Sequence, residues 1–186
     1  SGETLLVTGA AGGTGLAAVQ IGHALGARVI AVCSNEEKLH TAKQHGADVA
    51  INTGQDDVRN VIKSLTGGAG ADVIFDPVGG DLAKSLARSV GWNGRWLVIG
   101  FADGAIPKVP LNLPLVKGYS IVGVFWGSFC DRDPAQAQAN HRQLFEMAAS
   151  GTLTPHLHAV MPLSEAPRAL SQIEQRSVQG KIVLNP

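Results

Sequence analysis

Three features of this 186-residue sequence predict an α/β fold built on a doubly wound parallel sheet. Short apolar runs rich in β-branched residues alternate with stretches of helical character, the pattern of a parallel sheet covered on both faces. Glycine is abundant, 23 of 186 residues, against an average of about 7%. These glycines stand singly or in pairs beside the apolar runs, where they mark tight turns and close backbone approach. One cluster, Gly9-Ala10-Ala11-Gly12-Gly13-Thr14-Gly15, joins the first apolar run directly to the first helical stretch. Six runs linked by right-handed crossovers give the strand order 3-2-1-4-5-6.

The elements follow in order. Thr4–Thr8 (TLLVT) is a short apolar run that ends at the glycine cluster. A helix is expected over 13–25, where Leu16, Val19, Gln20, His23 and Ala24 fall near one stripe and small residues let it pack close to the sheet. Arg28–Cys33 (RVIAVC) is apolar throughout its interior, as a strand buried on both faces requires. A helix over 36–45, a strand Val49–Asn52, a helix over 55–65 and a strand Asp72–Asp76 continue the alternation. A crossover helix over 80–90 leads to strands Arg95–Gly100 (RWLVIG) and Ser120–Phe125 (SIVGVF). Asp133-Pro134 then opens a long helix to about Ser150, with Leu144 and Met147 on its apolar side and Gly151 and Pro155 ending it. A tail follows: strand His158–Pro162, helix Ser164–Arg176 and strand Lys181–Leu184. Its two strands have no place in the six-stranded sheet, so the chain divides into a main unit, 1–151, and a strand–helix–strand tail, 152–186.

Composition narrows the function. Apolar residues make up 45% of the chain and charged residues 16%, with 15 basic and 15 acidic side chains cancelling to zero. A nucleic-acid partner calls for a basic surplus, and disorder for fewer apolar residues. No apolar run reaches the roughly 18 residues of a membrane helix, and no basic stretch followed by an apolar core opens the chain. Cys33 and Cys130 make neither a disulfide framework nor a zinc cluster. The expectation is a cytoplasmic domain without nucleic-acid or membrane partners. The chain starts at Ser1 and enters a strand almost at once, which suggests a piece of a longer protein.

The glycine cluster carries the sharpest chemical signal. Glycines at 9, 12 and 15 approximate the fingerprint G-x-G-x-x-G, with Ala10 where the strict form has its first glycine. The turn follows a strand, opens a helix and lies in a βαβ unit, the context of a dinucleotide-binding Rossmann turn. Cofactor choice is read about 20 residues further on, where NAD sites place an acid on the ribose 2′-hydroxyl. Here the strand ends Val32-Cys33-Ser34-Asn35 without one, and Lys38 follows one helical turn later. Ser34 and Lys38 suit a 2′-phosphate, favouring NADPH over NADH. Ser34 also reads as the N-cap of a capping box with Glu37, and Lys38 as a solvated charge. Glu36 and Glu37 stand beside them, able to repel a phosphate or to hold a ribose.

Several segments carry a wider likeness: VTGAAGGTGLAAVQIGHALGARVIAV, SNEEKLHTAKQHGAD, DVIFDPVGGD, GRWLVIGF and RSVQGKIVL. In these segments, and in their order, the chain resembles the zinc-independent, zeta-crystallin-like quinone oxidoreductases of the medium-chain dehydrogenase/reductase superfamily. The resemblance implies an NADPH-binding lobe that normally follows an N-terminal GroES-like catalytic lobe, onto which the tail strands would pack. It implies pyrophosphate contacts at Gly12, Gly13, Thr14 and Gly15, and 2′-phosphate contacts at Ser34, Asn35 and Lys38. Gly100-Phe101 and Phe125-Trp126 would lie by the nicotinamide and its ribose, and Arg176 would reach the cofactor. An adenine-side aromatic of some relatives falls at Thr53.

The implied activity is NADPH-dependent reduction of a quinone or α,β-unsaturated carbonyl, with the small-molecule electron acceptor held partly by the other lobe. The alternatives are an enoyl reductase acting on acyl thioesters and a nucleotide-sensing module without turnover. No catalytic residue is assigned: Tyr119, the only tyrosine, reads as packing. No metal site is expected, Cys33 reading as a strand-end filler and His156 and His158 as a polar strand face. The apolar, uncharged run Ser120–Phe125 is expected to be an exposed sheet edge, through which the family commonly dimerises.

Overall fold

The computed structural model describes residues 1–186. In chain order the elements are β1 (Thr4–Thr8), α1 (Gly13–Ala24), β2 (Arg28–Cys33), α2 (Glu36–Gln44), β3 (Val49–Asn52) and α3 (Val58–Leu65). β4 (Ala71–Asp76), α4 (Ala83–Ser89), β5 (Val90–Val98), α5 (Asn112–Lys117) and β6 (Ser120–Gly123) follow. The chain ends with α6 (Trp126–Arg132), α7 (Pro134–Ala149), β7 (Leu157–Pro162), α8 (Ala166–Glu174) and β8 (Lys181–Asn185). Six parallel strands form one sheet in the order β3-β2-β1-β4-β5-β6, the predicted topology.

Strand periodicity assigns the two faces. Successive side chains point to opposite sides, so Leu6, Ile30, Val32, Ile51, Ile74 and Trp96 fall in one core cluster. Val7, Val29, Ala31 and Cys33 fall in the other. α3 and α4 cover the first face through Val58, Ile62, Ala83 and Leu86. α1 and α2 cover the second through Val19, Leu39 and Ala42. Each fully buried Val, Leu or Ile contributes on the order of 1.5–3 kcal/mol. α1 comes close to the sheet because Gly22 has no Cβ; one placed there would run into Leu5 and sit 3.3 Å from Val29 Cγ2.

Several boundaries differ from those read in the sequence, each for a physical reason. The crossover expected at 80–90 is a 3-10 turn, Gly80–Leu82, followed by α4. β5 starts at Val90 rather than Arg95, because its register shifts between the Ala71 and Val73 pairings and absorbs a turn at left-handed Asn93 (φ +57°). It ends at Val98, leaving Gly100 in the following loop. β6 stops at Gly123, and the run read as strand to Phe125 instead turns into α6. An apolar run does not by itself distinguish a strand from a helix start. α5 lies between β5 and β6, where no helix was expected. Pro114 lies in its first turn, where the missing N–H would have had no intrahelical acceptor anyway.

The tail strands stay out of the six-stranded sheet, as expected; β7 and β8 pair with each other in parallel, α8 making the crossover. A bridge between Gly12 and Gly180 ties this ribbon to the glycine turn, the Gly180 N–H donating to the Ala11 carbonyl at 2.8 Å. α8 stops at Glu174 instead of running to Arg176, because Arg176 takes a left-handed conformation, φ +56°.

Candidate functional site

The carboxyl ends of β1, β2, β4 and β5 meet at one edge, where doubly wound sheets bind ligands. Asp76, at the end of β4 and only 3% exposed, organises this edge. Its Oδ1 accepts from the Thr8 hydroxyl at 2.6 Å and from the Val78 and Gly79 N–H groups at 3.1 Å. Its Oδ2 accepts from Trp96 Nε1 at 3.2 Å. One carboxylate thereby fixes β1 to β4 and β5 and sets the Pro77–Gly80 turn.

The glycine turn lies beside it. A Cβ at Gly15 would strike the Gly9 carbonyl and lie 2.8 Å from Ala10 Cα, so only glycine lets the start of α1 close on β1. α1 begins after Gly12 with no side-chain cap, so no side chain competes with an anion at its first turn. These features fit a dinucleotide pyrophosphate at Gly12, Gly13, Thr14 and Gly15. A residue the sequence did not flag also reaches this spot. Lys181 runs across Gly13, its Nζ 2.8 Å from where a Gly13 Cβ would be. The only sequence signal for it was its place one residue after Gly180.

At the end of β2 the structure brings Ser34, Lys38 and Arg176 together. Lys38 Nζ donates to the Arg176 carbonyl at 2.8 Å and lies 3.4 Å from Ser34 Oγ. The Arg176 guanidinium turns to Asp103 Oδ1 at 3.3 Å and the Ala102 carbonyl at 3.5 Å, joining the tail to the loop after β5. The α2 cap is Asn35, not Ser34: its Oδ1 accepts the Lys38 N–H at 3.0 Å. The helix starts one residue later than the capping box implied, which commits the Asn35 side chain to the cap and frees the Ser34 hydroxyl. Glu36 and Glu37 are both engaged, Glu36 with Asn52 Nδ2 at 2.7 Å and Glu37 with Gln179 Nε2 at 2.6 Å. Thr53 donates its N–H to the Cys33 carbonyl at 2.9 Å and puts no aromatic face there.

The remaining candidates line the edge further along. Phe101 packs over Gly79, where a Cβ would come 2.9 Å from its ring. Phe125 is 78% exposed, whereas Trp126 packs tilted against Phe129 and edge-on against His141, each at 5.5 Å between ring centroids. Tyr119 lies in the core at the opposite, amino end of β6, with burial holding its phenol above the ordinary value.

Two polar groups read as bland in the sequence have definite partners. His156 packs edge-on against His45 at 4.9 Å, and His158 Nδ1 accepts from the Gln179 N–H at 3.4 Å. His156 thereby fastens the tail to the end of α2, whereas the His158 bond lies within the tail and its side chain stays on an exposed strand face. Burial pushes the Cys33 thiol up to about 11.

A family model described as zinc-binding dehydrogenase matches residues 13–146. The chain belongs to this family. Quinone oxidoreductase-like protein 2 of Mus musculus is 38% identical over 185 residues, 99% of this chain and 53% of that protein. A quinone oxidoreductase of Pseudomonas syringae pv. Tomato superposes on the whole chain with a TM-score of 0.90 at 31% identity, covering 57% of the solved chain. A mycobacterial protein solved in complex with NADPH superposes with a TM-score of 0.91 at 30% identity, again over 57% of its length. The chain therefore spans about half the length of the curated relatives it matches. Within these 186 residues no three His, Cys, Asp or Glu side chains gather into a group that could hold a metal ion, and Cys33 is buried.

Proposed function

We propose that this chain is the NADPH-binding lobe of an oxidoreductase that delivers hydride to a quinone or α,β-unsaturated carbonyl. The observation that carries the reading is the joining of an uncapped glycine turn to a corner where Ser34, Lys38 and Arg176 converge and both neighbouring acids are tied up elsewhere. The names of the relatives support the acceptor class.

Bound NADPH would supply the hydride, and a proton would complete the two-electron reduction. The chain's own residues bind and orient. The first turn of α1, with Lys181 beside it, would hold the pyrophosphate; Ser34 and Lys38, braced by the Arg176 carbonyl, would hold the 2′-phosphate. Phe101, Phe125 and Trp126 would supply the apolar wall beside Gly100 that keeps water from the reacting face.

The chemistry is tested by NADPH oxidation in the protein translated from its complete reading frame, with a benzoquinone and a 2-enoyl thioester as rival acceptors. Turnover on the quinone is expected. Turnover on the thioester alone would move the protein to the enoyl reductases. Binding of NADPH with no acceptor turned over would make it a sensing module.

We further propose that two copies pair through β6. This strand is the sheet's edge, all four of its residues are exposed, and none is charged.

A further inference from the structure

We infer that Gln179 is a positioning residue for cofactor selectivity, latching Glu37 away from the corner formed by Ser34, Lys38 and Arg176. This inference rests on the reading of that corner as the 2′-phosphate site. Glu36 and Glu37 occupy the first turn of α2, where the helix dipole favours carboxylates but a phosphate does not. Both are restrained from outside their own helix. Glu36 is held by Asn52 at the end of β3, and Glu37 by Gln179 from the tail, 142 residues later in the chain.

The geometry of Gln179 is that of a fixed latch. The residue is 6% exposed, and its amide is fully directed. Oε1 accepts from the Thr41 hydroxyl, while Nε2 donates to Glu37 Oε1 at 2.6 Å. The flipped amide would set an oxygen against the carboxylate, so only one orientation satisfies both partners. The Gln179 main-chain N–H donates to His158 Nδ1, anchoring the segment from the other side. The same few residues also present the Arg176 carbonyl to Lys38. Released, Glu37 would be a mobile carboxylate next to Lys38 in sequence, able to pair with that cation. It would also repel a dianion well inside the screening length of about 8 Å. The tail thus contributes selectivity without touching the nucleotide at Gln179.

The test titrates adenosine 2′,5′-bisphosphate and 5′-AMP into the 186-residue chain and compares their affinities. Gln179→Leu is expected to weaken the bisphosphate about tenfold, the scale of one uncompensated charge near a surface. Binding of 5′-AMP should stay within about twofold. Adding Glu37→Gln should restore the bisphosphate, a rescue that general loosening of the tail would not give. Gln179→Glu keeps an acceptor for Thr41 and sets a second carboxylate against Glu37; it should show the same selective loss if the leucine variant folds poorly. Equal weakening of both nucleotides, or no rescue by Glu37→Gln, would overturn the latch. Lys38→Ala, run in parallel, separates the two layers. If the parent chain has no preference for the bisphosphate, or Lys38→Ala leaves one intact, the 2′-phosphate assignment itself falls and the latch with it. A preference lost in Lys38→Ala but kept in both Gln179 variants overturns the latch alone.

Discussion

Removing the Asp76 carboxylate would orphan the Thr8 hydroxyl, the Trp96 indole N–H and two backbone N–H groups at once. Buried donors left unpaired cost about 1–3 kcal/mol each before relaxation. Asp76→Ala is therefore expected to lower stability by roughly 3 kcal/mol or more, measured by urea denaturation, and to loosen the turn under Phe101. A loss below about 1 kcal/mol would mean that the network is not holding this edge. Cys33 makes the opposite kind of statement. With its thiol pushed up to about 11, it should resist alkylation near pH 8 in the folded chain and react only on unfolding, while half-buried Cys130 reacts first. Rapid modification of Cys33 in the native state, followed by mass spectrometry, would contradict its role as a packed strand-end filler.

At the scale of elements, the tail's attachment to α2 is expected to respond to pH through His156. Burial first, then the neighbouring imidazoles of His45 and His158, hold His156 below the ordinary histidine value. Glu37 and Lys181 flank the junction through Gln179 and Gly13. A base with a depressed folded value binds fewer protons folded than unfolded. Its stabilising effect is complete above the unfolded value and is lost as pH falls through that value toward the folded one. Thermal stability should therefore decline as pH drops from about 7 to about 5, and His156→Gln should flatten that decline. An identical decline in the variant would place the sensitivity elsewhere. The contrast between main unit and tail also shows what the sequence could disclose. Strands such as Arg28–Cys33 were legible because burial on both faces imposes a continuous apolar run. The glycine turn was legible because only glycine fits at Gly15. α5, α6 and the start of β5 were not, since they depend on Pro114 sitting in a first turn, on an apolar run changing direction, and on a register shift at Asn93. Gln179 and Lys181 were invisible as site residues because their roles come from tertiary contacts across more than 130 positions with Glu37, Thr41 and Gly13.

For the whole molecule, the edge strand and the cofactor site carry separate consequences. If β6 pairs with a second copy, sedimentation at tens of micromolar should give twice the 19.3 kDa chain mass, and Val122→Lys should return it to monomer. A monomer for the parent chain would contradict pairing and leave the nucleotide site untouched. The central claim is that this fold holds NADPH in preference to NADH. It is tested most directly by calorimetric and tryptophan-fluorescence titrations of both nucleotides into the parent chain and Lys38→Ala. The expected result is tighter NADPH binding in the parent, with the variant losing about tenfold or more for NADPH and little for NADH. Tighter binding of NADH by the parent, or a Lys38→Ala variant that still prefers NADPH, would contradict it.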